Sequence, residues 1–407
     1  MALIVQKYGG SSVATPERIV SVAEQVVRRK RQGNKVVIVV SAMGKTTDSL
    51  ISLARQVHPD PPTREMDRLL STGELVSVAL LCMAIERLGE QAEGLSGRLA
   101  GIRTDSTHTK ARIRRIDPRR IRTELEKDAI VVVAGFQGVG PENVVTTLGR
   151  GGSDLTAIAI AAALKADVCE IYTDVDGVYT ADPRRVPAAR LLSEISYDEL
   201  LEMASSGAKV MQSRSVECAK KYGVPFLVKS SFQQGAGTMV REIKVREGAV
   251  VSAVSIDENQ AKITIFHVPD RPGIAAAVFG ELGDARINVD MIVQNVSREK
   301  HTDISFTVSS ADRQRALEIA RRVAKEIKAG EVGEDADIAK ISIIGIGMMN
   351  QPGVAGRMFR SLAEQGVNIQ MISTSEIRIS CLVPKEDGER ALRAVHAEFI
   401  EHPRTAV

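Results

Sequence analysis

The sequence predicts an α/β fold in two parts: a layered domain of strands and helices to about residue 250, then two tandem α+β repeats. Two observations carry this expectation. In the first part, short β-branched runs alternate with helical stretches, the pattern of a largely parallel sheet held between helix layers. In the last third, the chain repeats itself at an offset of 80 residues.

Residues 16–31 predict the first helix, with Thr15 as N-cap, Pro16 at the first helical position and Gly33 past its end. Residues 35–40 (Lys-Val-Val-Ile-Val-Val) and 129–134 are nearly continuous apolar runs, as strands covered on both faces require. Between them a helix is predicted over 71–88, opening on Ser71-x-x-Glu74 and stopping before Gly89. The Ala- and Ile-rich stretch 153–164 predicts a buried helix, and 169–172 a strand. A helix over 207–222 is expected to end at Gly223, with a strand over 225–229 after it.

In the repeats, Pro272-Gly273 returns as Pro352-Gly353, Phe279 as Phe359, Leu282 as Leu362, Asn288 as Asn368 and Met291-Ile292 as Met371-Ile372. Each copy reads as a strand (262–266; 340–344), a Pro-Gly turn, a helix, a second strand, a third strand (303–308; 377–383) and a second helix. The acidic, glycine-containing stretch 330–337 is the expected linker. The domains expected are 1–250, 251–335 and 336–407.

Composition removes several function classes. Lys and Arg total 54 against 51 Asp and Glu, a net charge of +3, which gives no support for a nucleic-acid surface. Aromatics are 3% and Trp is absent, against base-stacking platforms. No apolar run approaches the ~20 residues of a membrane span, and the N-terminus lacks a basic segment followed by a long apolar core. A cytoplasmic location is expected. Cys82, Cys169, Cys218 and Cys381 lie far apart, which favours buried thiols over a disulfide framework or zinc site. The six histidines form no metal pattern, so no protein-held metal is expected. The basic run 110–122, with Ile113, Ile116 and Ile121 interleaved, reads as a solvated face.

Three segments could carry chemistry. Lys7-Tyr8-Gly9-Gly10-Ser11-Ser12 follows an apolar strand and precedes a helix; its glycines let backbone approach an anion, and Lys7 offers a point charge to a phosphate. A plain glycine turn is the alternative reading of that fragment. Gly149-Arg150-Gly151-Gly152-Ser153-Asp154 opens the buried helix and joins an arginine to three glycines, with Ser153 and Asp154 as anion-site residues or simple helix caps. Thr173 to Arg184 forms a polar loop after a strand, at the edge where open α/β sheets bind ligands. Gly44-Lys45-Thr46 lacks the upstream glycine of a P-loop, and Gly149-x-Gly151 lacks the third glycine of a dinucleotide fingerprint. For Glu74, the spacing from Ser71 points to a capping box.

Taken together, these segments resemble the aspartate kinase family of the amino-acid kinase superfamily. The matching strings are Lys-Tyr-Gly-Gly-Ser-Ser at 7–12, Val-Val-Ser-Ala-Met-Gly at 39–44, Thr-Thr-Asp at 46–48, Ser-Thr-Gly-Glu at 71–74 and Gly-Phe-Gln-Gly at 135–138. They continue with Gly-Arg-Gly-Gly-Ser-Asp at 149–154, Tyr-Thr-Asp-Val-Asp-Gly-Val-Tyr-Thr-Ala-Asp-Pro-Arg at 172–184 and Gly-Ala-Lys-Val at 207–210. The tandem repeats resemble ACT domains. One departure is Leu155, where the family commonly carries Thr; only local packing is expected to change.

The resemblance implies an amino-acid kinase fold, a layered α-β-α sandwich, followed by two ferredoxin-like ACT repeats. It implies a monofunctional kinase that transfers phosphate from ATP, with Mg2+ carried on the ATP phosphates, to the β-carboxylate of L-aspartate. Lys7 and Asp154 would be catalytic. Lys7, Tyr8, Gly9, Gly10, Ser41, Ser153, Thr173, Asp174, Tyr179, Asp182, Arg184 and Lys209 would face ATP. Thr47, Glu74, Arg150, Gly151, Gly152 and Ser153 would hold aspartate. Lysine, threonine or both would act as feedback effectors through Asp270, Gly273, Ile274, Ala275, Asn288, Asp290 and Gln294 of the first repeat. In the second, Gly353, Val354, Asn368, Thr374 and Ser375 would bind differently or serve assembly. A homo-oligomer, or assembly with a shorter ACT-only subunit started at an internal methionine such as Met239, is the expected partner state. A glutamate-directed kinase and a catalytically silent amino-acid sensor are the alternatives.

Overall fold

A computed structural model describes residues 1–208, 210–243, 250–295 and 300–402. The chain divides into two compact units: Met1–Val178 with Leu191–Ala204 and Lys209–Lys244, and Tyr179–Arg190 with Ser205–Ala208 and Val245–Val407.

In the first unit, an eight-stranded sheet runs in the order Glu194–Ser196, Thr238–Arg241, Phe226–Ser230, Val168–Thr173, Leu3–Tyr8, Lys35–Val40, Ile130–Ala134 and Ala92–Leu95. Its central strands pair in parallel, and Lys35–Val40 and Ile130–Ala134 are buried almost throughout, as their unbroken apolar character predicts. Successive side chains of a strand point to opposite faces. On Leu3–Tyr8, Tyr8 therefore joins Val22, Val26, Leu81 and Ile85 in the core under the helices Pro16–Arg31 and Thr63–Arg87. Lys7 points the other way, to the helix Gly152–Leu164.

Thr15 caps the helix Pro16–Arg31 as expected, accepting from the Arg18 amide. The helix predicted over 71–88 instead runs Thr63–Arg87, so Ser71 and Glu74 lie in its interior and the capping-box reading fails. This helix is long and apolar enough to cross a membrane by length and composition, contrary to the expectation that no run is. Its Leu70, Val78, Leu81 and Ile85 are buried in the domain core. The helix predicted over 207–222 is shorter, Ser213–Tyr222, and a separate helix, Tyr197–Ser205, precedes it. Gly207 keeps the helix from starting there: its φ of 105° is left-handed, and a Cβ there would fall 2.4 Å from the Ile256 carbonyl oxygen. The basic run is a strand and helix, Ile113–Ile116 and Arg119–Glu126, with its arginines exposed.

The second unit contains two four-stranded sheets. In the first, Val289–Gln294, His301–Ser309, Gln260–Pro269 and Val332–Asp335 lie side by side. The expected linker is thus partly an edge strand, paired with Gln260–Pro269. In the second, Ala253–Asp257 pairs with Ile338–Ile344, followed by Arg378–Pro384 and Met371–Thr374. The strand that precedes the first repeat, Ala253–Asp257, therefore completes the sheet of the second, while the sheets part between Asp335 and Ile338. Tyr179–Arg190 is built into the second repeat, where Ala181 and Val186 share a core with Val354, Met358 and Val395. The fully buried His396 holds this segment, its Nε2 lying 3.0 Å from Thr180 Oγ1 and its Nδ1 2.9 Å from Glu401.

Candidate active site

The site is assembled by strand register. Tyr8 pairs with both Val40 and Tyr172, and Val40 with Ala134. The residues that follow, Thr173, Gly9, Ser41 and Gly135, therefore stand along one edge of the sheet, at the carboxyl ends of parallel strands. Backbone bonds fix them: the Gly9 amide donates to Tyr172, the Ser41 amide to Tyr8 and the Gly135 amide to Val40, at 3.3, 3.1 and 2.9 Å.

Lys7 is 7% exposed, and its Nζ lies 2.6 Å from Asp154 Oδ1. Asp154 is in the first turn of Gly152–Leu164, where no side chain caps the helix, so the capping alternative for Ser153 and Asp154 does not hold. Gly9 leaves room for the ammonium, since a Cβ there would sit 3.2 Å from Nζ. At Gly10 a Cβ would fall 2.9 Å from the Ala42 carbonyl oxygen, and the Gly10 oxygen accepts from the Gly44 amide at 2.9 Å. The glycine loop is thereby laid against the end of Lys35–Val40.

Ser153 is buried beside Gly135, where a Cβ would come within 2.7 Å of its Oγ. Gly151 has a φ of 69°, and a Cβ on it would collide with the Gln212 side chain at 2.1 Å. A Cβ on Gly152 would press on the Phe136 ring at 2.9 Å. These three positions need their glycines. Arg150 is exposed. Leu155 packs with Ala111 and Leu148.

Glu74 is 3% exposed; one carboxylate oxygen accepts from the Ala42 amide at 3.2 Å, and the other is buried with no hydrogen-bond partner among the described residues. Burial pushes its pKa up to about 7. A buried acceptor left over in this way is suited to an arriving cation. Thr47 is half-buried near the start of the helix Thr46–Val57.

Residues 2–230 match the amino acid kinase family, and residues 262–328 and 341–399 each match an ACT domain. The chain is 52% identical over 402 residues to the aspartokinase of Pseudomonas aeruginosa, covering 98% of each chain. The chain belongs to the aspartokinases. It also resembles two crystal structures of E. coli aspartokinase III. One, in complex with aspartate and ADP (R-state), is 26% identical with a TM-score of 0.79, over 97% of this chain and 99% of that one. The other, in complex with lysine and aspartate (T-state), is 27% identical with a TM-score of 0.75, over 98% and 99%. The fold class and the kinase assignment implied by the sequence resemblance hold.

In this aspartokinase the remaining expected residues divide. Thr173 and Asp174 stand at the sheet edge, Thr173 Oγ1 donating to Asp174 Oδ1 at 3.1 Å. Tyr179, Asp182 and Arg184 fold with the second unit, and Arg184 pairs with Asp182 at 2.7 Å. Lys209 lies outside the described residues. Tyr8 is fully buried and stacked on Tyr172, ring centroids 4.7 Å apart, on the sheet face away from Lys7. Its side chain is therefore a core group, which leaves only its backbone for the nucleotide contact expected of it.

In the repeats, Gly273 and Gly353 have φ values of 95° and 88° and start the helices Ile274–Asp284 and Val354–Glu364, each with open space around it. Asp270, Ala275, Asn288 and Gln294 are exposed, as are Asn368, Thr374 and Ser375, while Ile274 and Val354 are buried. Asp290 does not offer a free carboxylate. It pairs with Lys340, which is wholly buried and lies 3.4 Å from the Ser205 carbonyl oxygen, and Arg378 approaches to 4.0 Å.

Sequence reasoning missed Ser231, whose Oγ lies 2.5 Å from Ser12 Oγ, and Arg214, which donates to the carbonyls of Leu148 and Ala111 at 2.6 and 2.8 Å. A polar residue directly after a strand was the only signal for Ser231. Arg214 carried none, because its partners are backbone atoms.

Proposed function

We propose that this aspartokinase catalyses ATP-dependent phosphorylation of the L-aspartate β-carboxylate to 4-phospho-L-aspartate, the first step toward lysine, threonine and methionine and the diaminopimelate branch. The observation that carries this reading is the Lys7–Asp154 pair at 2.6 Å beside the glycine-lined sheet edge, with the part-satisfied Glu74 carboxylate set against Ala42. Lys7 meets the migrating phosphoryl group with positive charge, and Asp154 holds the ammonium in place. Glu74 takes the aspartate ammonium at its unbonded oxygen, and Arg150 a carboxylate by two parallel hydrogen bonds. Thr47, Gly151, Gly152 and Ser153 line the same ligand, and Gly9, Gly10, Ser41, Thr173 and Asp174 the ATP phosphates and ribose end.

The nucleophile is a carboxylate, already ionised at neutral pH (about 3.9 for a free Asp side chain), so no general base is needed. Catalysis then reduces to positioning and charge neutralisation. Magnesium would be carried on the ATP phosphates, with the oxygens of Thr173 and Asp174 as protein groups of the hardness it prefers; when bound it offsets phosphate charge.

The ACT repeats give feedback control by lysine, threonine or both; a lysine complex of E. coli aspartokinase III supports the lysine arm. Ile292 and Ile372, equivalent residues of the two repeats, are 52% and 41% exposed, which favours a homo-oligomer or assembly with an ACT-only subunit. Four free cysteines suit a cytoplasmic setting.

The test is ADP release by the full chain with L-aspartate, L-glutamate or no acceptor, followed by titration of lysine and threonine. Aspartate-dependent turnover that falls with one or both effectors is expected. Glutamate-dependent turnover, or none with aspartate, overturns the substrate assignment.

A further inference from the structure

Asp67 belongs to none of the motifs above, yet it is wholly buried and joins three pieces of the aspartate side of the site. It lies two turns before Glu74 on the helix Thr63–Arg87, and both are buried. Its Oδ2 is 2.6 Å from His108 Nδ1, and its Oδ1 accepts from Thr147 Oγ1 at 2.5 Å. Both oxygens also take the Thr109 amide, at 3.0 and 3.2 Å.

Thr147 ends the strand Val145–Thr147, which leads through Leu148 and Gly149 to Arg150. The turn holding His108 and Thr109 is pressed onto this exit. The Ala111 amide donates to the Thr147 carbonyl at 2.9 Å, and a Cβ on Gly149 would lie 3.1 Å from the Thr109 oxygen. Thr109 itself has a φ of 64°, an unfavourable region for a β-branched residue that persists only where surroundings impose it. One carboxylate thus ties the Glu74 helix, the strained turn and the approach to Arg150.

We propose that Asp67 and His108 are positioning residues for aspartate binding: the pair fixes the path of the loop that presents Arg150 relative to Glu74. This rests on the reading that Arg150 and Glu74 hold the substrate. Arg150 is exposed, so the aim of its guanidinium depends on the backbone beneath it. Removing the His108 contact frees the turn without touching Lys7, Asp154 or the nucleotide edge.

The experiment compares H108A, H108N, R150A and the H108A/R150A double variant of the full chain by steady-state kinetics. H108A is expected to raise KM for aspartate about tenfold, with kcat within about twofold and KM for ATP unchanged. H108N, which keeps an N–H donor near the place of Nδ1, is expected to recover most of that loss. In the R150A background H108A should add nothing further, because both act through one group. Wild-type KM for aspartate in folded H108A, an equal rise in KM for ATP, or full additivity with R150A overturns the proposal. If H108A does not fold, T147V, which deletes the other side-chain donor to Asp67, is read by the same criteria. R150A at wild-type KM for aspartate would instead sink the underlying substrate reading.

Discussion

Lys7 and Asp154 form an ion pair 2.6 Å long between the central strand of the sheet and the first turn of a buried helix, with side-chain exposures of 9% and 13%. The pair holds one ammonium at the carboxyl edge of the sheet, where Gly9 has no Cβ to crowd it.

Lys7→Ala is expected to lower kcat by on the order of 10²–10³, the scale of losing one preorganised charge partner of a transferring group. Asp154→Asn should cost less, since Lys7 stays charged but is less firmly held. Circular dichroism and thermal melts check that both remain folded. Near-normal turnover in Lys7→Ala removes Lys7 from the chemistry.

Glu74 gives a pH-dependent outcome. Its pKa is raised to about 7 by burial, so the folded state holds a proton that the unfolded chain has already released in the range between about 4.5 and 7. Stability from this group is full below the unfolded value and is lost as pH rises through about 7. Glu74→Gln should therefore match the wild type near pH 4 and exceed it at pH 8, by on the order of 3 kcal/mol. The same variant should lose aspartate affinity above about pH 7, where the wild-type carboxylate is ionised, and the difference should shrink as pH falls. Paired denaturant titrations at the two pH values measure the first effect; parallel pH curves for the two proteins would show that Glu74 does not titrate in this way.

Asp290→Ala leaves Lys340 buried without its carboxylate, and the expected cost is about 3–5 kcal/mol. Lys340→Met added to that variant should restore most of the loss. Urea melts of the single and double variants test this. Loss of effector response in Asp290→Ala should be interpreted only beside those melts.

His396→Ala removes the buried ring that joins Thr180 to Glu401. The expected cost to stability is about 1–3 kcal/mol, from polar groups left unpaired. Urea melts of the variant and the wild type measure this, and equal midpoints would show that His396 does not hold the segment.

The strands over 35–40 and 130–134, the Thr15 cap and the two repeats were legible in the chain because each rests on local periodicity or a single terminal residue. The glycine segments and Lys7 were legible for the same reason, as short strings whose backbone needs are local. Glu74 was misread as a cap because Ser-x-x-Glu spacing is the same at a helix start and inside a helix. Asp67 left no local signature, since its three donors come from a turn and a strand distant in sequence.

By itself, then, the sequence determined the main strands of the first sheet, the glycine turns and the tandem repeats, and which family they belong to. The tertiary structure decided which side chains meet. Parallel register put Gly9, Ser41, Gly135 and Thr173 on one edge, and strand alternation sent Lys7 to Asp154 while turning Tyr8 into the core. Pairing assigned Ala253–Asp257 to the second repeat's sheet and Asp290 to Lys340. Those choices depend on long-range contacts, whose partners are fixed by burial and hydrogen-bond satisfaction across the whole fold rather than by neighbours along the chain.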